Sequence, residues 1–310
     1  YINNFVKSIN FGNIYTCDAE GKKFALSVKN NIRLLDNDFE AIMGVNGIYI
    51  ANVISGKYIK LMKQEIASKV LQEQSIGKEI MKNEKGNENE VKEQKKDYLQ
   101  YAKTLITHNQ GGDWKRLKPP ERDCQGNSYN CASHCSLHLH SYSSPVPRFY
   151  TIDDAIGIII GNGNVGRYLD YSYENVALFL SRDGGNTWYE IKKGVYTYEI
   201  GDHGGLIIIA QFEKLTKYIS YTYDEGITWD ELQISEEGIY IKNILNAPSS
   251  AGQKFIIDGY KKKSDSEESE NIIISLDFST LNINKCGSSD YETWIPSSST
   301  KKDLSNLFIM

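Results

Sequence analysis

The chain has 310 residues, with 35 Lys+Arg against 40 Asp+Glu and a net charge of −5. This mild acidity argues against a nucleic-acid binder, which shows a basic stripe. A hydrophobic content of 40% supports a sizeable core and excludes wholesale disorder. No apolar run approaches the roughly 18 residues that cross a bilayer, and a start at Tyr1 with no leader-like stretch reads as a piece of something longer or a processed product. Tyr is the commonest aromatic, at 21 against 10 Phe and 4 Trp, and with abundant Ile and Gly it favours strands and tight turns. Five cysteines stand at Cys17, Cys124, Cys131, Cys135 and Cys286. Three of them fall within twelve residues, which fits an oxidising compartment better than the cytosol.

In chain order, the first turn signal is Thr16-Cys-Asp-Ala-Glu-Gly-Lys-Lys-Phe24. The stretch 61–100 then carries eight Lys and eight Asp/Glu. Leu61, Met62, Ile66, Val70 and Leu71 have helical spacing, and the pattern dissolves after Met81, so a short helix followed by a disordered insertion is expected. A docking or processing loop is one reading. A solvated insertion without chemistry is the simpler one, because surface loops lengthen at small entropic cost. Next comes Thr107-His-Asn-Gln-Gly-Gly-Asp-Trp114, and a long Cys- and His-bearing stretch from Pro119 to Tyr150 follows it. Two closely matched octets come after, Ser181-Arg-Asp-Gly-Gly-Asn-Thr-Trp188 and Thr222-Tyr-Asp-Glu-Gly-Ile-Thr-Trp229. The segment KKKSDSEESE at 261–270 reads as a hairpin tip.

The two octets share the form S/T-x-D-x-G-x-T-W, the pattern called an Asp box. The chemistry is that of a locked turn. Ser181 or Thr222 starts it, and the carboxylate of Asp183 or Asp224 accepts from backbone N–H groups. Gly185 or Gly226 supplies a positive φ, Thr187 or Thr228 follows, and Trp188 or Trp229 folds under the turn as an apolar plug. The copy at Thr107, Asn109, Gly111 and Trp114 is degraded, with Asn109 for Asp and Asp113 for Thr, so Trp114 is expected to matter less. The Thr16 copy is weaker still and one residue longer. Apolar segments flank each intact box (176–180 and 189–191; 218–222 and 231–234), which predicts strand–turn–strand hairpins. Ser181 and Thr222 are 41 residues apart, within reach of the about 40–50 residues of a four-stranded propeller blade. The 74 residues from Thr107 to Ser181 need an additional long loop, which the Pro119–Tyr150 stretch supplies.

Several segments in order then resemble one family. Cys135-Ser-Leu-His-Leu-His140, Gly161-Asn-Gly-Asn-Val-Gly166, Val176 through Trp188, Gly201-Asp-His-Gly-Gly-Leu-Ile207 and Tyr221 through Trp229 resemble the lumenal domain of the sortilin family of vacuolar protein-sorting receptors. Gly44-Val-Asn-Gly-Ile-Tyr-Ile-Ala-Asn52 and Thr104-Leu-Ile-Thr107 look like the same family, and Cys286-Gly-Ser-Ser-Asp-Tyr-Glu-Thr-Trp294 resembles the start of its cysteine-rich module.

The resemblance implies an all-β fold, a partial β-propeller with Asp-box hairpins forming the C-terminal blades of a ten-bladed ring. The expected divisions are propeller blades at 1–60, the charged insertion at 61–100, box-bearing blades at 101–285 and the cysteine-rich module from 286 to 310. The implied function is the cargo-binding region of a sorting receptor on the lumenal side of Golgi and endosomal membranes. Its partners would be peptide or protein cargo such as hydrolase precursors, with no nucleic acid and no cofactor, and with membrane attachment only through segments outside this chain. Acidification would release the cargo. The resemblance also implies a disulfide between Cys124 and Cys135, with Cys131–Cys135, only four residues apart, as its main competitor. No ligand-binding residue can be carried over.

Other chemistries are weaker. Cys131, His134, Cys135, His138 and His140 offer thiolates and imidazoles enough for zinc. The alternative is a disulfide loop running into a strand, with Leu137 and Leu139 facing the core and His138 and His140 the other face. Asp183 and Asp224 could be read as the acid/base pair of an Asp-box glycoside hydrolase. Paired carboxylates must face one substrate at about 5–10 Å, however, and turns at equivalent positions of different blades do not converge. Only six arginines are present to hold an acidic sugar, and no nucleophile elbow or phosphate loop occurs. The expectation is a protein that is not an enzyme, with neither a metal nor a catalytic residue.

Overall fold

Runs such as Ile207-Ile-Ile-Ala210 and Ala177-Leu-Phe-Leu180 are apolar at every position, so strands built from them must be covered on both faces. A computed structural model of the chain describes residues 2–5, 11–33, 36–61, 64, 99–131, 134–142, 144–246, 252–262, 269–281 and 287–288. The fold is all-β. The first sheet contains β1 (Ile2–Phe5), β2 (Phe11–Cys17), β3 (Phe24–Ile32), β4 (Phe39–Ala41), β5 (Tyr49–Ile54), β6 (Ala102–Thr107) and β7 (Lys115–Arg116). Its order is β1-β2-β3-β5-β6-β7, with β4 beside β5. The second sheet is the meander of β8 (Ser136–Leu139), β9 (Ile159–Gly166), β10 (Ala177–Ser181) and β11 (Tyr189–Lys193). Then come β12 (Tyr196–Gly201), β13 (Leu206–Gln211), β14 (Leu215–Thr216), β15 (Tyr218–Thr222) and β16 (Asp230–Gln233), of which all but β14 form the third sheet. Strand β14 pairs instead with β17 (Ile239–Asn246), which continues through β18 (Lys254–Lys262) to β19 (Ser269–Asp277) in the fourth. All of these pairings are antiparallel.

The sheets stack in chain order, and the two-residue period of the strands divides their side chains between successive cores. Ile50 and Ile106 of the first sheet meet Leu137, Leu139, Ile159 and Phe179 of the second. From the opposite face of the second sheet, Ile160, Leu178 and Leu180 meet Tyr198, Ile200, Ile207 and Ile209 of the third. Leu206, Ile208 and Ala210 then face Ile241, Phe255 and Ile257 of the fourth. Thus β9, β10 and β13 are walls shared by two cores.

The expected hairpins are present as β10–β11 and β15–β16. Four strands fill each of the second and third sheets, and the 74-residue interval is taken up by the long β7–β8 and β8–β9 connections. The hairpin around 261–270 also forms, with Lys261 opposite Glu270; its tip lies outside the described residues. The helix expected from Leu61 onward is met only by helical residues at 56–61 and 64, and the rest of the insertion up to 98 lies outside the described residues. So does Cys286, with nearly all of the predicted cysteine-rich start. Among the described residues no helix is long and apolar enough to cross a membrane.

Candidate functional site

The three boxes close by one hydrogen-bond scheme. Ser181 Oγ donates to Asp183 Oδ1 (3.0 Å) and accepts from Gly185 N (2.8 Å). Asp183 accepts from Thr187 N and Thr187 Oγ1 at 2.8 and 2.6 Å. Thr222, Asp224, Gly226 and Thr228 repeat these bonds at 2.6–3.0 Å. Burial alone would raise the Asp224 carboxyl, but the Thr228 hydroxyl and N–H outweigh it and hold the group below the usual carboxylate range. The degraded copy makes the same closure with donor and acceptor exchanged. Thr107 Oγ1 donates to Asn109 Oδ1, Asp113 N donates to the same oxygen, and Asn109 Nδ2 donates to Asp113 Oδ2 (3.1 Å), replacing the Thr-to-Asp bond of the intact boxes. Even the weak Thr16 copy keeps one element, Lys22 N donating to Asp18 Oδ1.

Each of the two intact box turns docks on the sheet before it. A Cβ on Gly185 (φ +85°) would lie 2.5 Å from Ile106 Cδ1, and one on Gly226 (φ +82°) would lie 2.4 Å from Leu180 Cδ2. Ile106 and Leu180 immediately precede the first residue of the previous box, so the contact repeats with the fold. Gly111 instead meets Ser27 and Thr16 of the β3–β2 pair, within its own sheet. The tryptophans differ more than the sequence implies. Trp188 is buried at 4% exposure and donates to Gly185 O, closing its own turn. Trp229 donates likewise to Gly226 O but is only half-buried. Trp114 donates to Ser27 Oγ, which donates on to Gly111 O, so a serine of β3 is inserted where the other boxes close directly.

A second repeated device went unread in the sequence. Buried Asn52 on β5 donates to Leu139 O of β8, and buried Asn162 on β9 donates to Tyr196 O of β12 and accepts from Tyr196 N. Each ties an inner strand of one sheet to the first strand of the next. The signal was available: Gly47-Ile-Tyr-Ile-Ala-Asn52 and Gly157-Ile-Ile-Ile-Gly-Asn162 share G-I-x-I-small-N, and both glycines have positive φ.

The cysteine loop requires a correction. Cys135 is bonded to Cys131, with Cα atoms 5.2 Å apart, rather than to Cys124, which is free and exposed. Cys124 is held elsewhere: its N–H points at Glu190 Oε1 of β11 (3.4 Å). His138 and His140 lie opposite Leu137 and Leu139 as the alternation predicts, yet all four are fully buried. Thr104 N donates to His138 Nδ1, so its proton sits on Nε2, which faces Gly166 O at 3.2 Å. His140 Nδ1 pairs with Ser144 Oγ. Burial pushes both imidazoles down to about 4. Among the described residues no group of three or more His, Cys, Asp or Glu could hold a metal. Asp183 and Asp224 are each consumed by their own turn in separate sheets.

The sequence that folds into these repeated, self-satisfied turns on stacked sheets has known relatives. Residues 3–244 match the family model for sortilin, neurotensin receptor 3. The chain belongs to the sortilin–Vps10 family. The model for the C-terminal region of the same family matches 246–306, starting at the end of β17. It is a receptor family rather than an enzyme family. The chain is 31% identical over 308 residues to vacuolar protein sorting/targeting protein 10 of Debaryomyces hansenii, covering 94% of this chain and 17% of that protein. It is 32% identical over 313 residues to the protein of that name from Paracoccidioides lutzii (94% and 18%). It is 39% identical over 211 residues to the one from Emericella nidulans (63% and 14%). The chain thus spans less than a fifth of the length of these curated relatives.

Proposed function

We propose that this chain forms part of the lumenal cargo-binding region of a sorting receptor that carries proteins from the Golgi to endosomes and the vacuole. The observation that carries this reading is the family match over 3–244, coinciding with stacked antiparallel sheets that repeat one turn and one inter-sheet tie. In this reading the sheets are consecutive blades of a ten-bladed β-propeller, with blades at 1–60 and 101–285, an insertion at 61–100 and a cysteine-rich module beginning near 286. A stack of sheets held by side-chain ties is a rigid wall from which loops can vary, which suits recognition of extended peptide segments. The cargo is peptide or protein, hydrolase precursors among it, and the membrane anchor lies outside this chain.

The test is disruption of the gene in its native host, followed by quantification of vacuolar hydrolase precursors in the medium. Secretion of the precursors, rescued by the full-length protein, is expected. Normal hydrolase delivery together with a cytosolic location of the tagged protein would overturn the proposal.

A further inference from the structure

Three cations meet where the first and second sheets adjoin. Lys103 is the second residue of β6, Arg116 ends β7, and Arg167 follows directly on β9. The register pairs Leu105 with Arg116. Arg116 therefore shares a face with Lys103, two residues before Leu105 on β6, and is its diagonal neighbour at a backbone spacing of roughly 7–8 Å. Tyr168 links the two sheets: Lys103 Nζ lies 5.0 Å and Arg167 Cζ 5.5 Å from the centroid of its ring. That ring is braced in turn, edge-on to Tyr101 at 5.4 Å, and Tyr101 stacks on Tyr58 at 4.8 Å. One fixed ring thus positions two of the three cations.

No carboxylate answers these cations. None of the ion pairs among the described residues includes Lys103, Arg116 or Arg167. Asp113, three residues before Arg116, accepts from Asn109 Nδ2 in the box turn, and Asp170, three residues after Arg167, accepts from Ser172 N and Asn175 Nδ2. Even with both acids counted, the cations are in excess. The charged groups that act on Lys103 are themselves cations: burial, then Arg116 and Arg167, push its pKa below the ordinary lysine value. Lys103 and Arg116 also act together on buried His138. Three like charges gathered on a chain of net charge −5 repel one another until something negative covers them. Arg116 and Arg167 are exposed and Lys103 is partly so, which leaves all three within reach of an occupant.

We infer that Lys103, Arg116 and Arg167 form a docking surface for an extended acidic peptide segment with carboxylates at alternate positions. Side chains two residues apart on an extended chain project to one side about 6.5 Å apart, close to the diagonal spacing of Lys103 and Arg116. A single phosphate or sulfate would meet one cation of that pair and leave the other uncovered. The guanidinium forks of Arg116 and Arg167 match carboxylates in two-bond geometry. The inference deepens the receptor reading, because it assigns a chemical class to a segment of the cargo, and it rests on that reading for its biological setting.

The experiment titrates the full-length protein with acetyl-Gly-Glu-Gly-Glu-Gly-Glu-Gly-amide at fixed ionic strength. One control peptide carries Gln in place of every Glu, and a second keeps a single Glu. Binding is read by calorimetry, and acetylation of Lys103 by acetic anhydride, mapped by mass spectrometry, reports the place. The Glu peptide is expected to bind and to slow acetylation of Lys103. The Gln peptide should do neither, and the single-Glu peptide should bind about tenfold more weakly. Arg116→Gln combined with Arg167→Gln should weaken binding of the Glu peptide by about tenfold or more, without a change in melting temperature, because both side chains are exposed. Arg116→Gln alone should show a smaller loss and guards against a double variant that misfolds. No binding of the Glu peptide at millimolar concentration, or unchanged affinity in the folded variants, would overturn the inference. So would equal protection of Lys103 by inorganic phosphate, which would make the occupant a point anion and not an extended segment. If the Glu peptide fails while hydrolase precursors are still delivered, the receptor reading stands and this one falls.

Discussion

The box of the second sheet and the box of the first reach one turn from different sequences. In the second, the Asp183 carboxylate gathers donors from Ser181, Asn186 and Thr187, and Trp188 seals the turn against its own glycine. In the first, Asn109 and Asp113 exchange the donor and acceptor roles, and Ser27 is interposed between Trp114 and Gly111. The difference teaches that the hydrogen-bond topology is what the fold preserves, while residue identity at one position can invert if its partner inverts with it. It also shows that a tryptophan's place in a motif does not set its burial: Trp188 is sealed in the core between the first and second sheets, whereas Trp229, against the core between the second and third, and Trp114 are only half-covered.

The largest expected effect tests that last point. Trp188→Ala should destabilise the full-length protein by roughly 3–5 kcal/mol, and Trp229→Ala or Trp114→Ala by about 1–3 kcal/mol, in thermal or urea unfolding. Equal losses at all three would show that motif position, and not burial, sets the contribution.

Next in size is acid sensitivity at the junction of the first two sheets. His138 and His140 have folded pKa values of about 4 against an ordinary 6.5. The unfolded chain therefore binds the extra protons first. Their contribution to stability is complete above pH 6.5, falls as the pH drops, and is lost through pH 4, by up to roughly 3 kcal/mol for each histidine. Melting followed from pH 7 to 4 should show this loss, and His138→Gln should reduce its steepness. A profile unchanged by that substitution would mean His138 is not among the groups responsible.

Gly185→Ala should cost roughly 2–3 kcal/mol, because the new methyl meets Ile106 and the residue is held at φ +85°. The same substitution at Gly21, where a Cβ meets nothing within 4 Å, should cost only the backbone term of about 1 kcal/mol. The smallest effect is the most specific. Asn109→Asp should cost about 1 kcal/mol by setting two carboxylates together, and adding Asp113→Thr should recover it by restoring the intact pattern. If the double variant is no better than the single one, the exchanged bond is not what closes the first turn.

Much of this was legible because it is local. An acceptor, a glycine and a donor four residues apart define a turn whatever surrounds them, and apolar runs on either side define its strands. This is why β10–β11 and β15–β16 could be placed from residues 176–191 and 218–234 alone. The alternation Leu137, His138, Leu139, His140 was readable for the same reason. Its burial on both faces was not, because that depends on Thr104 and Tyr171 arriving from 31 or more residues away. The asparagine ties left a trace in the repeated G-I-x-I-small-N, but only a contact between sheets reveals what the trace does.

By itself the sequence determined the β class, the turns and the family, since these follow from side-chain chemistry within short windows and from ordered motifs. Only the tertiary structure decided which tryptophan is sealed, that Cys135 bonds Cys131 while Cys124 leans on Glu190, and that a glutamate on β11 is buried. Burial and pairing of this kind depend on which sheet lies against which, and the covering residues are separated in the chain by the loops whose lengths the local patterns leave free.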